Sequence, residues 1–402
     1  MRHGPLKHLA FAALFVTALV PVESIRAADD SISIGTTFKL RSEILGTERT
    51  ILVHTPAAYE AGTLRYPVLY LTDGEYQFQH TVTTVDFLAR SGKIPALIVV
   101  GISTAGGDRT HDLTPTQDLS QPGFASSGGG EIFLNFVEKE LIPHVERSYR
   151  TLPFRAFAGH SFGGVFALHA FATRPALFGG VISASPVLNW DKNRPLEEVK
   201  QLLAGRNELN ATLYVTMGNE GPGLRKNLAE LKGTLEKASA KGLSWQALEL
   251  SEEDHGSGVL LAYYQGLLKI FEGWRYPIDV VTGRPKGDLA AVKAHYGALA
   301  TRFGTSSAPP EVLVNLLGYT ELGAKHAGRA LEAFRYNVAT HPGSANAHDS
   351  LGEGLESTGD LAAARESYAR AVEIATKSSD RALPIFQKHV VDCDAKLAVK
   401  KP

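Results

Sequence analysis

The sequence predicts an α/β fold, with a mostly parallel sheet and helices on both of its faces, followed by a smaller all-helical region. Between residues 51 and 272, short apolar runs rich in β-branched residues alternate with stretches of helical periodicity. Nearly continuous apolar runs indicate strands buried on both faces, and their alternation with helices is typical of a parallel sheet. After about residue 275 the sequence shows helical patterns alone.

Each strand of the predicted sheet follows from a short apolar run bounded by turn residues. The predicted strands are 51–56, 67–74, 96–103, 155–159, 179–186, 212–218 and 244–250. Helical spacing of apolar residues, or an apolar run that stops before a proline, predicts the helices. The predicted helices are 82–92, 131–149, 162–174, 223–241 and 257–272.

The composition is that of a globular protein without a strong electrostatic preference. The chain has 402 residues, 44% of them hydrophobic, and a net charge of −1. This balance argues against electrostatic capture of nucleic acid or of an anionic membrane surface, so we expect no nucleic-acid partner. Cys393 is the single cysteine, which excludes an internal disulfide, and we expect it to pack in a terminal helix.

The first 28 residues have the layout of a secretory signal peptide. A basic start precedes an apolar run at 9–20, and small residues follow it. The apolar run is short for a bilayer span. We therefore expect cleavage near Ala27 or Ala28, and a periplasmic or secreted protein with no membrane span after signal removal. An uncleaved membrane anchor is the alternative.

A serine flanked by glycines stands between a predicted strand and a predicted helix. The segment is Gly159-His160-Ser161-Phe162-Gly163, preceded by RAFA and followed by GVFALHAF. This is the context of a nucleophile elbow, because glycines let strand and helix approach each other around a strained residue. The five-residue pattern occurs often by chance without that context. We predict that Ser161 is a nucleophile, and an ordinary turn serine is the alternative.

A histidine and an acid follow this serine in the chain order that its chemistry requires. His255 lies in a polar loop after strand 244–250, and Glu220 lies in a glycine-rich loop after strand 212–218. A serine hydroxyl needs a histidine to accept its proton, and in a hydrolase sheet the order is Ser, acid, His. We predict His255 as the base and Glu220 as the acid that orients it. The rival acids are Asp191, after an earlier strand, and the neighbours Glu252, Glu253 and Asp254.

Two backbone N–H groups are predicted to stabilise an oxyanion. The N–H of Phe162 follows the nucleophile at the start of a helix, where a developing negative charge is favoured. The second donor is expected in the turn that ends strand 67–74, and we choose the N–H of Glu75, with Tyr76 second. A plain strand-ending turn is the alternative for this segment.

Trp190 and Arg109 are the predicted contacts of a substrate. Trp190 follows strand 179–186, where an aromatic side chain either walls a pocket or packs in the core. Arg109 lies in a polar loop, where a solvated arginine is the alternative. The sequence around His111 and Asp112 contains neither an HExxH nor a CxxC pattern. We therefore expect no metal and no cofactor.

Several of these motifs together resemble one known family. The segments YLTDGE, DRTHDLTPT, FVEKELIPHVERSYRT, RAFAGHSFGG, SASPVLNW and EEDHGSG occur in this order over residues 35–272. The order resembles the putative-esterase family, which includes esterase D-like enzymes, enterochelin (siderophore) esterases and mycolyltransferases. The resemblance implies an α/β-hydrolase fold and leaves the substrate open. The residues that it places in the site are Ser161 as nucleophile, His255 as base, Glu220 as acid, and Glu75 and Phe162 as oxyanion donors.

The C-terminal region contains a repeat of thirty-four residues. Leu317-Gly318 matches Leu351-Gly352, and the other matched pairs are Ala330 and Ala364, Phe334 and Tyr368, and Val338 and Val372. Small and aromatic residues at this spacing resemble tetratricopeptide repeats. Such a region binds a protein partner, mediates self-association or covers the first domain. The predicted boundaries are 1–28 for the signal peptide, 29–275 for the hydrolase domain, 276–310 for a connecting helix and linker, and 311–402 for the repeat domain.

These observations favour one function over two others. The first hypothesis is an exported serine esterase that hydrolyses a small-molecule ester, a siderophore ester among the candidates, through an acyl-enzyme. An acyltransferase on the same fold is the second. The third is a non-catalytic hydrolase-like protein whose repeat region binds a partner.

Overall fold

A computed structural model describes residues 32–399, so the predicted signal peptide at 1–28 lies outside the described residues. Within this range the chain forms an eight-stranded sheet with the order β1-β2-β4-β3-β5-β6-β7-β8. The strands are β1 Thr36–Arg41, β2 Glu48–His54, β3 Tyr66–Thr72, β4 Ile98–Ile102, β5 Thr151–His160, β6 Gly180–Ala184, β7 Thr212–Gly218 and β8 Ser244–Leu250.

The sheet is antiparallel at one edge and parallel elsewhere. β1 pairs with β2, and β2 with β4, in antiparallel register, whereas all pairs from β4–β3 to β7–β8 are parallel. The central strands β3, β4, β6 and β7 are buried along their whole length, as their apolar runs require. The predicted mostly parallel sheet is therefore confirmed.

Helices join the strands and follow them. The helices within and after the sheet are α1 Gly74–Arg90, α2 Arg109–Leu113, α3 Gly130–Phe136, α4 Ile142–Ser148, α5 Phe162–Thr173, α6 Trp190–Gly205, α7 Pro222–Lys237 and α8 Gly258–Ile270. The C-terminal helices are α9 Leu289–Phe303, α10 Glu311–Gly323, α11 Ala327–Thr340, α12 Ala345–Ser357, α13 Leu361–Ser378 and α14 Leu383–Val399. No helix within residues 32–399 has both the length and the apolar character needed to cross a membrane.

Alternate residues of the central strands pack against helices on opposite faces of the sheet. A Cβ placed on Gly180 of β6 would lie 2.8 Å from Ile270 of α8, and a Cβ placed on Gly266 of the same helix would lie 2.8 Å from Ile182 of β6. Val181, between them, joins the apolar cluster of the other face, which includes Phe166 of α5. The core therefore lies on both sides of the sheet and leaves the strand ends to carry polar groups.

The C-terminal helices pack on the sheet region through an aromatic contact at the end of α9. Phe303 at the end of α9 lies 4.8 Å from Phe154 and 5.1 Å from Phe271, measured between ring centroids. Arg302 beside it donates a hydrogen bond of 2.7 Å to the carbonyl oxygen of Ile270. Among the described residues, 35–399 belong to one unit, and the boundaries at 275 and 310 stay predictions.

The thirty-four-residue repeat corresponds to two helical hairpins, α10–α11 and α12–α13. In the first, a Cβ on Gly318 would lie 2.4 Å from the ring of Phe334. In the second, a Cβ on Gly352 would lie 2.5 Å from the ring of Tyr368. Glycine at the same position of each hairpin thus lets an aromatic ring pack directly on the helix backbone.

Candidate active site

Ser161 occupies a sharp turn between β5 and α5. Its backbone angles are φ 61° and ψ −120°, a strained conformation for a residue with a side chain. Its N–H donates to the carbonyl oxygen of Ala184 on the neighbouring strand at 3.0 Å. A Cβ on Gly159 would lie 1.9 Å from the carbonyl oxygen of Gly163, and one on Gly163 would lie 2.3 Å from Thr72 Oγ1. The turn therefore requires both flanking glycines.

The loops after β7 and β8 bring the predicted acid and base together. His255 Nδ1 lies 2.6 Å from Glu220 Oε2, and Gly218 N–H donates to Glu220 Oε1 at 3.0 Å. The Glu220 side chain is 8% exposed, whereas that of His255 is 45% exposed. The two loops also share a backbone bond of 2.7 Å from Asn219 N–H to the carbonyl oxygen of Glu253. Parallel pairing of β7 with β8 therefore fixes the contact between the acid and the imidazole.

The environment of this pair favours an ionised acid and a basic imidazole. Burial alone raises the pKa of the Glu220 carboxyl, but hydrogen bonds from His255 and Ser185 outweigh it, and the net pKa is lowered. The hydrogen bond to Glu220 raises the pKa of the His255 imidazole, although burial opposes this effect. Nδ1–H of His255 faces the carboxylate, so Nε2 is the nitrogen available to accept a proton.

The rival acids lie elsewhere or have other partners. Asp191 lies in the first turn of α6, among residues with left-handed backbone angles, and in the described part of the chain it does not bond to His255. Asp254 Oδ1 accepts the N–H groups of Gly256 and Ser257 at 2.9 Å and 2.8 Å and so caps the turn that carries His255. Glu220 is the acid that the structure places on the imidazole.

The two amides predicted for the oxyanion are unpaired within the described residues. Neither Phe162 N–H nor Glu75 N–H donates to a protein acceptor there, whereas Tyr76 N–H donates to the carbonyl oxygen of Asp73 at 2.9 Å. The N–H of Tyr76, the second choice from the sequence, therefore already has an acceptor, whereas the N–H of Glu75 has none among the described residues. The Glu75 carboxylate is bonded to the N–H and hydroxyl of Thr104 at 3.1 Å and 2.9 Å, which anchors the start of α1.

Arg109, predicted to contact substrate, is held by a buried acid. Its Nε and Nη2 donate to the two carboxylate oxygens of Asp73 at 2.6 Å and 2.9 Å, and Asp73 is 2% exposed. Nη2 also donates to the carbonyl oxygen of His160 at 3.3 Å, and the guanidinium lies 5.6 Å from the ring centroid of Phe162. Arg109 therefore ties the turn before α1 to the serine turn.

Trp190 belongs to an aromatic cluster beside the serine. Its ring lies 5.2 Å from that of Phe162 and 5.0 Å from that of Phe124, and Phe124 lies 6.0 Å from Phe162. Trp190 is 3% exposed, and its Nε1–H donates to the carbonyl oxygen of Thr116 at 3.1 Å. Trp190 thus backs the rings of Phe162 and Phe124, both of which are half-buried.

Ser161 and His255 lie on the same strand-end edge without a direct bond. Within residues 32–399, Ser161 Oγ forms no hydrogen bond, with His255 or any other group. Hydrogen bonds of this kind often close only when substrate is bound.

His160 is the site residue that sequence reasoning missed. The sequence analysis gave it no role. In the structure its Nε2 lies 2.6 Å from the carbonyl oxygen of His255, and the two imidazole centroids are 4.7 Å apart. The two residues are 95 positions apart in the chain, so no local pattern could have indicated this contact.

One group of described side chains has atoms close enough to share a cation. Asp349, Glu353 and His389 offer ligand atoms within 4.8 Å of one another, in helices α12 and α14. Asp349 and His389 form a hydrogen bond of 2.9 Å, which joins α12 to α14. At His111, Nδ1 lies 3.1 Å from Asp112 Oδ1, and Asp112 also binds Arg49 at 2.6 Å.

Comparisons with known proteins show which proteins this chain is similar to. A family model described as "Putative esterase" matches residues 42–255. The chain is similar to ferri-bacillibactin esterase BesA of Bacillus subtilis, with 30% identity over 212 residues, 47% of this chain and 73% of that protein. It is also similar to a siderophore triacetylfusarinine C esterase of Aspergillus fumigatus, with 25% identity over 245 residues, 52% of this chain and 83% of that protein. An IroE-like serine hydrolase from Shewanella oneidensis has 28% identity and a TM-score of 0.64, covering 75% of this chain and 98% of that one.

Proposed function

The chain belongs to the esterase family whose model spans residues 42–255 and is a carboxylic ester hydrolase, and from this premise we propose that it is an exported serine esterase acting through an acyl-enzyme. The roles that we propose are Ser161 as nucleophile, His255 as base, Glu220 as orienting acid, and the N–H groups of Phe162 and Glu75 as oxyanion donors. The observation that carries the proposal is the 2.6 Å contact between His255 Nδ1 and Glu220 Oε2 at the strand ends that also hold the strained serine.

Acylation begins when Ser161 Oγ attacks the ester carbonyl carbon. A bond forms between Oγ and carbon, and His255 Nε2 accepts the hydroxyl proton. The carbonyl oxygen becomes an oxyanion, and the unpaired amides of Phe162 and Glu75 are free to donate to it. When the carbon–oxygen bond to the alcohol breaks, the alkoxide takes the proton from His255, and the acyl group stays on Ser161.

Deacylation repeats these steps with water. His255 Nε2 removes a proton from a water molecule while the water oxygen attacks the acyl carbon. The tetrahedral intermediate then collapses, the bond to Ser161 Oγ breaks, and Oγ recovers its proton from His255. Glu220 remains ionised throughout and stabilises the imidazolium through Nδ1–H. The products are a carboxylic acid and an alcohol.

The direct test is hydrolysis of p-nitrophenyl esters by wild type and Ser161→Ala. We expect the variant to lose at least about 10³-fold in turnover, as for nucleophile removal in other serine enzymes. Ser251→Ala, at an exposed position after β8, is the matched control and should keep wild-type turnover. Equal rates for wild type and Ser161→Ala would contradict the proposal.

For the substrate, we propose a siderophore ester. The names of two relatives support this choice, since one acts on ferri-bacillibactin and the other on triacetylfusarinine C. The aromatic cluster of Phe124, Phe162 and Trp190 beside the serine supports a planar or bulky acyl group. A substrate panel of siderophores, lactones and simple aryl esters, with Ser161→Ala as the blank, tests it. A kcat/KM for siderophores below that for acetyl esters would contradict it.

Export is proposed from the first 28 residues, which have a basic start and an apolar run typical of a signal peptide. The test is N-terminal sequencing of the protein recovered from the periplasm or medium of an expressing bacterium. A new N-terminus near Ala28 is expected. Recovery of the uncleaved chain from the membrane fraction would support the anchor alternative instead.

A further inference from the structure

His160 makes two separate contacts with the residue proposed as the base. Its Nε2–H donates to the main-chain carbonyl oxygen of His255 at 2.6 Å. The imidazole rings of the two residues also lie against each other, with centroids 4.7 Å apart and planes tilted by 45°. One contact therefore holds the backbone of His255, and the other holds the position of its ring.

The backbone of His160 is itself held in place by two contacts. His160 forms the last ladder pair of β5 with β6, with Ala184, and its carbonyl oxygen accepts the bond from Arg109 at 3.3 Å. Burial lowers the pKa of the His160 imidazole, and the hydrogen bond to His255 opposes that effect in part. A neutral imidazole that donates through Nε2 is the tautomer that fits these surroundings.

The other hydrogen bonds that hold the His255 loop do not reach the strand that carries Ser161. Asp254 caps its turn, and Glu220 binds His255 Nδ1. These bonds connect the loop to its own residues and to the loop after β7. His160 supplies a connection to the strand that carries Ser161, and β5 and β8 are separated in the sheet by β6 and β7.

We propose that His160 is a positioning residue that fixes the distance between base and nucleophile, by bonding the His255 carbonyl and packing on its ring. This inference rests on the proposed serine-esterase function. His160 takes no proton from the substrate and acts through His255. Because a displacement of about 1 Å costs a reaction of this kind on the order of 10²-fold, the loss of this link affects turnover more than binding.

Two substitutions separate positioning from packing. His160→Gln keeps a hydrogen-bond donor, because the amide N–H of glutamine lies about as far from the backbone as Nε2 of histidine. His160→Leu fills the space without a donor. His348→Leu is the matched control. His348, in α12, is also a half-buried histidine whose pKa is lowered by burial, and its Nε2 lies 3.3 Å from the main-chain carbonyl oxygen of Pro342 instead of that of His255.

The kinetic readout is kcat and KM for an aryl ester. For His160→Leu we expect kcat to fall about 10- to 100-fold with KM within about 2-fold. For His160→Gln we expect kcat within about 5-fold of wild type, and for His348→Leu no change. Equal loss in the Gln and Leu variants, or full turnover in His160→Leu, would overturn the proposal.

The second readout does not depend on turnover. Proton NMR at low temperature detects the Nδ1–H of His255 as a downfield resonance when it is bonded to Glu220, and its absence in His255→Ala assigns it. We expect the resonance to persist in wild type and His160→Gln and to broaden or vanish in His160→Leu. If wild type hydrolyses no ester, the proposed function fails, but the resonance still decides the positioning role. An unchanged resonance in His160→Leu overturns that role.

Discussion

The residues of the site divide into those that would touch substrate and those that hold them. Ser161 has a strained backbone that its neighbours impose, and Glu75 and Phe162 have unpaired amides. Arg109 and His160 lie beside these groups. The Arg109 guanidinium donates to the Asp73 carboxylate, and the His160 imidazole donates to the His255 carbonyl oxygen. The strain is therefore maintained by polar contacts between loops as well as by glycines.

Glu220→Gln replaces one carboxylate oxygen by an amide nitrogen, and so tests what the negative charge of the acid contributes. The carboxylate raises the pKa of His255, and the base must be neutral to accept a proton. Removing the charge lowers that pKa, so the acidic limb of the kcat/KM profile should move to lower pH. The plateau should fall by about 10²- to 10⁴-fold, because the imidazolium and the tautomer lose their partner.

Asp191→Asn is the control for that measurement, since Asp191 lies on α6 without a bond to His255. Its profile should coincide with that of wild type. A large loss in Asp191→Asn together with a normal profile in Glu220→Gln would show that the acid has been misassigned.

The glycines of the serine turn can be tested by their effect on folding stability. A Cβ on Gly159 would lie 1.9 Å from a backbone oxygen, which cannot move aside as a side chain can. We expect Gly159→Ala to lower the free energy of unfolding by about 1–3 kcal/mol, measured by urea denaturation. Gly223→Ala, where nothing lies within 4 Å of the added Cβ, should not lower it. An unchanged midpoint for Gly159→Ala would contradict the geometry of the turn.

At the level of elements, the site is assembled by loops that follow parallel strands. β3 leads to the Glu75 amide, β5 to Ser161, β7 to Glu220 and β8 to His255. Because parallel strands place their carboxyl ends along one edge, residues distant in the chain meet there. The helix N-termini of α1 and α5 add backbone N–H groups at that edge.

Arg109→Met tests the link between two of these elements. The substitution leaves the Asp73 carboxylate, which is 2% exposed, without its cation. We expect a loss of roughly 2–4 kcal/mol in the free energy of unfolding, since an unpaired buried charge is costly. We also expect a lower kcat for aryl esters with little change in KM. A raised KM at normal kcat and stability would instead identify Arg109 as a substrate contact, as the sequence first suggested.

Strands with continuous apolar runs were predictable, and elements without such patterns were not. β3, β4, β6 and β7 are buried throughout and were all expected from their residues. β1 was not expected, because it lies at the edge of the sheet and its side chains are half or fully exposed. α6 was missed because left-handed residues at its start and Pro195 disrupt the helical pattern.

The positions of Ser161, Glu220 and His255 were predictable for a related reason. Each stands at the end of a strand that its own composition reveals, so chain order was enough to bring them to one edge. The contacts of Arg109 and His160 were not predictable, because they depend on how side chains pack across loops that are far apart in sequence.

At the scale of the whole molecule, the chain joins a hydrolase sheet to repeating helical hairpins. The join runs through α9, whose Phe303 packs on Phe154 and Phe271, residues that lie outside the proposed site. The hairpins repeat one packing device, a glycine beneath an aromatic ring, at Gly318 and at Gly352. Both of these contacts lie within the helical hairpins.

Gly352→Ala tests whether the two regions are also independent in function. The new Cβ would lie 2.5 Å from the ring of Tyr368, so we expect faster amide hydrogen exchange in α12 and α13. The kcat and KM for aryl esters should stay at wild-type values. A parallel loss of turnover in folded protein would instead indicate that the helical region supports the site.

The central claim is that Ser161 forms the covalent acyl-enzyme. Its most direct test is intact-protein mass spectrometry after treatment with a fluorophosphonate, followed by peptide mapping. We predict one adduct on wild type, located at Ser161, much slower labelling of His255→Ala, and no labelling of Ser161→Ala. A folded wild-type protein that stays unlabelled, or an adduct at another residue, would contradict the account.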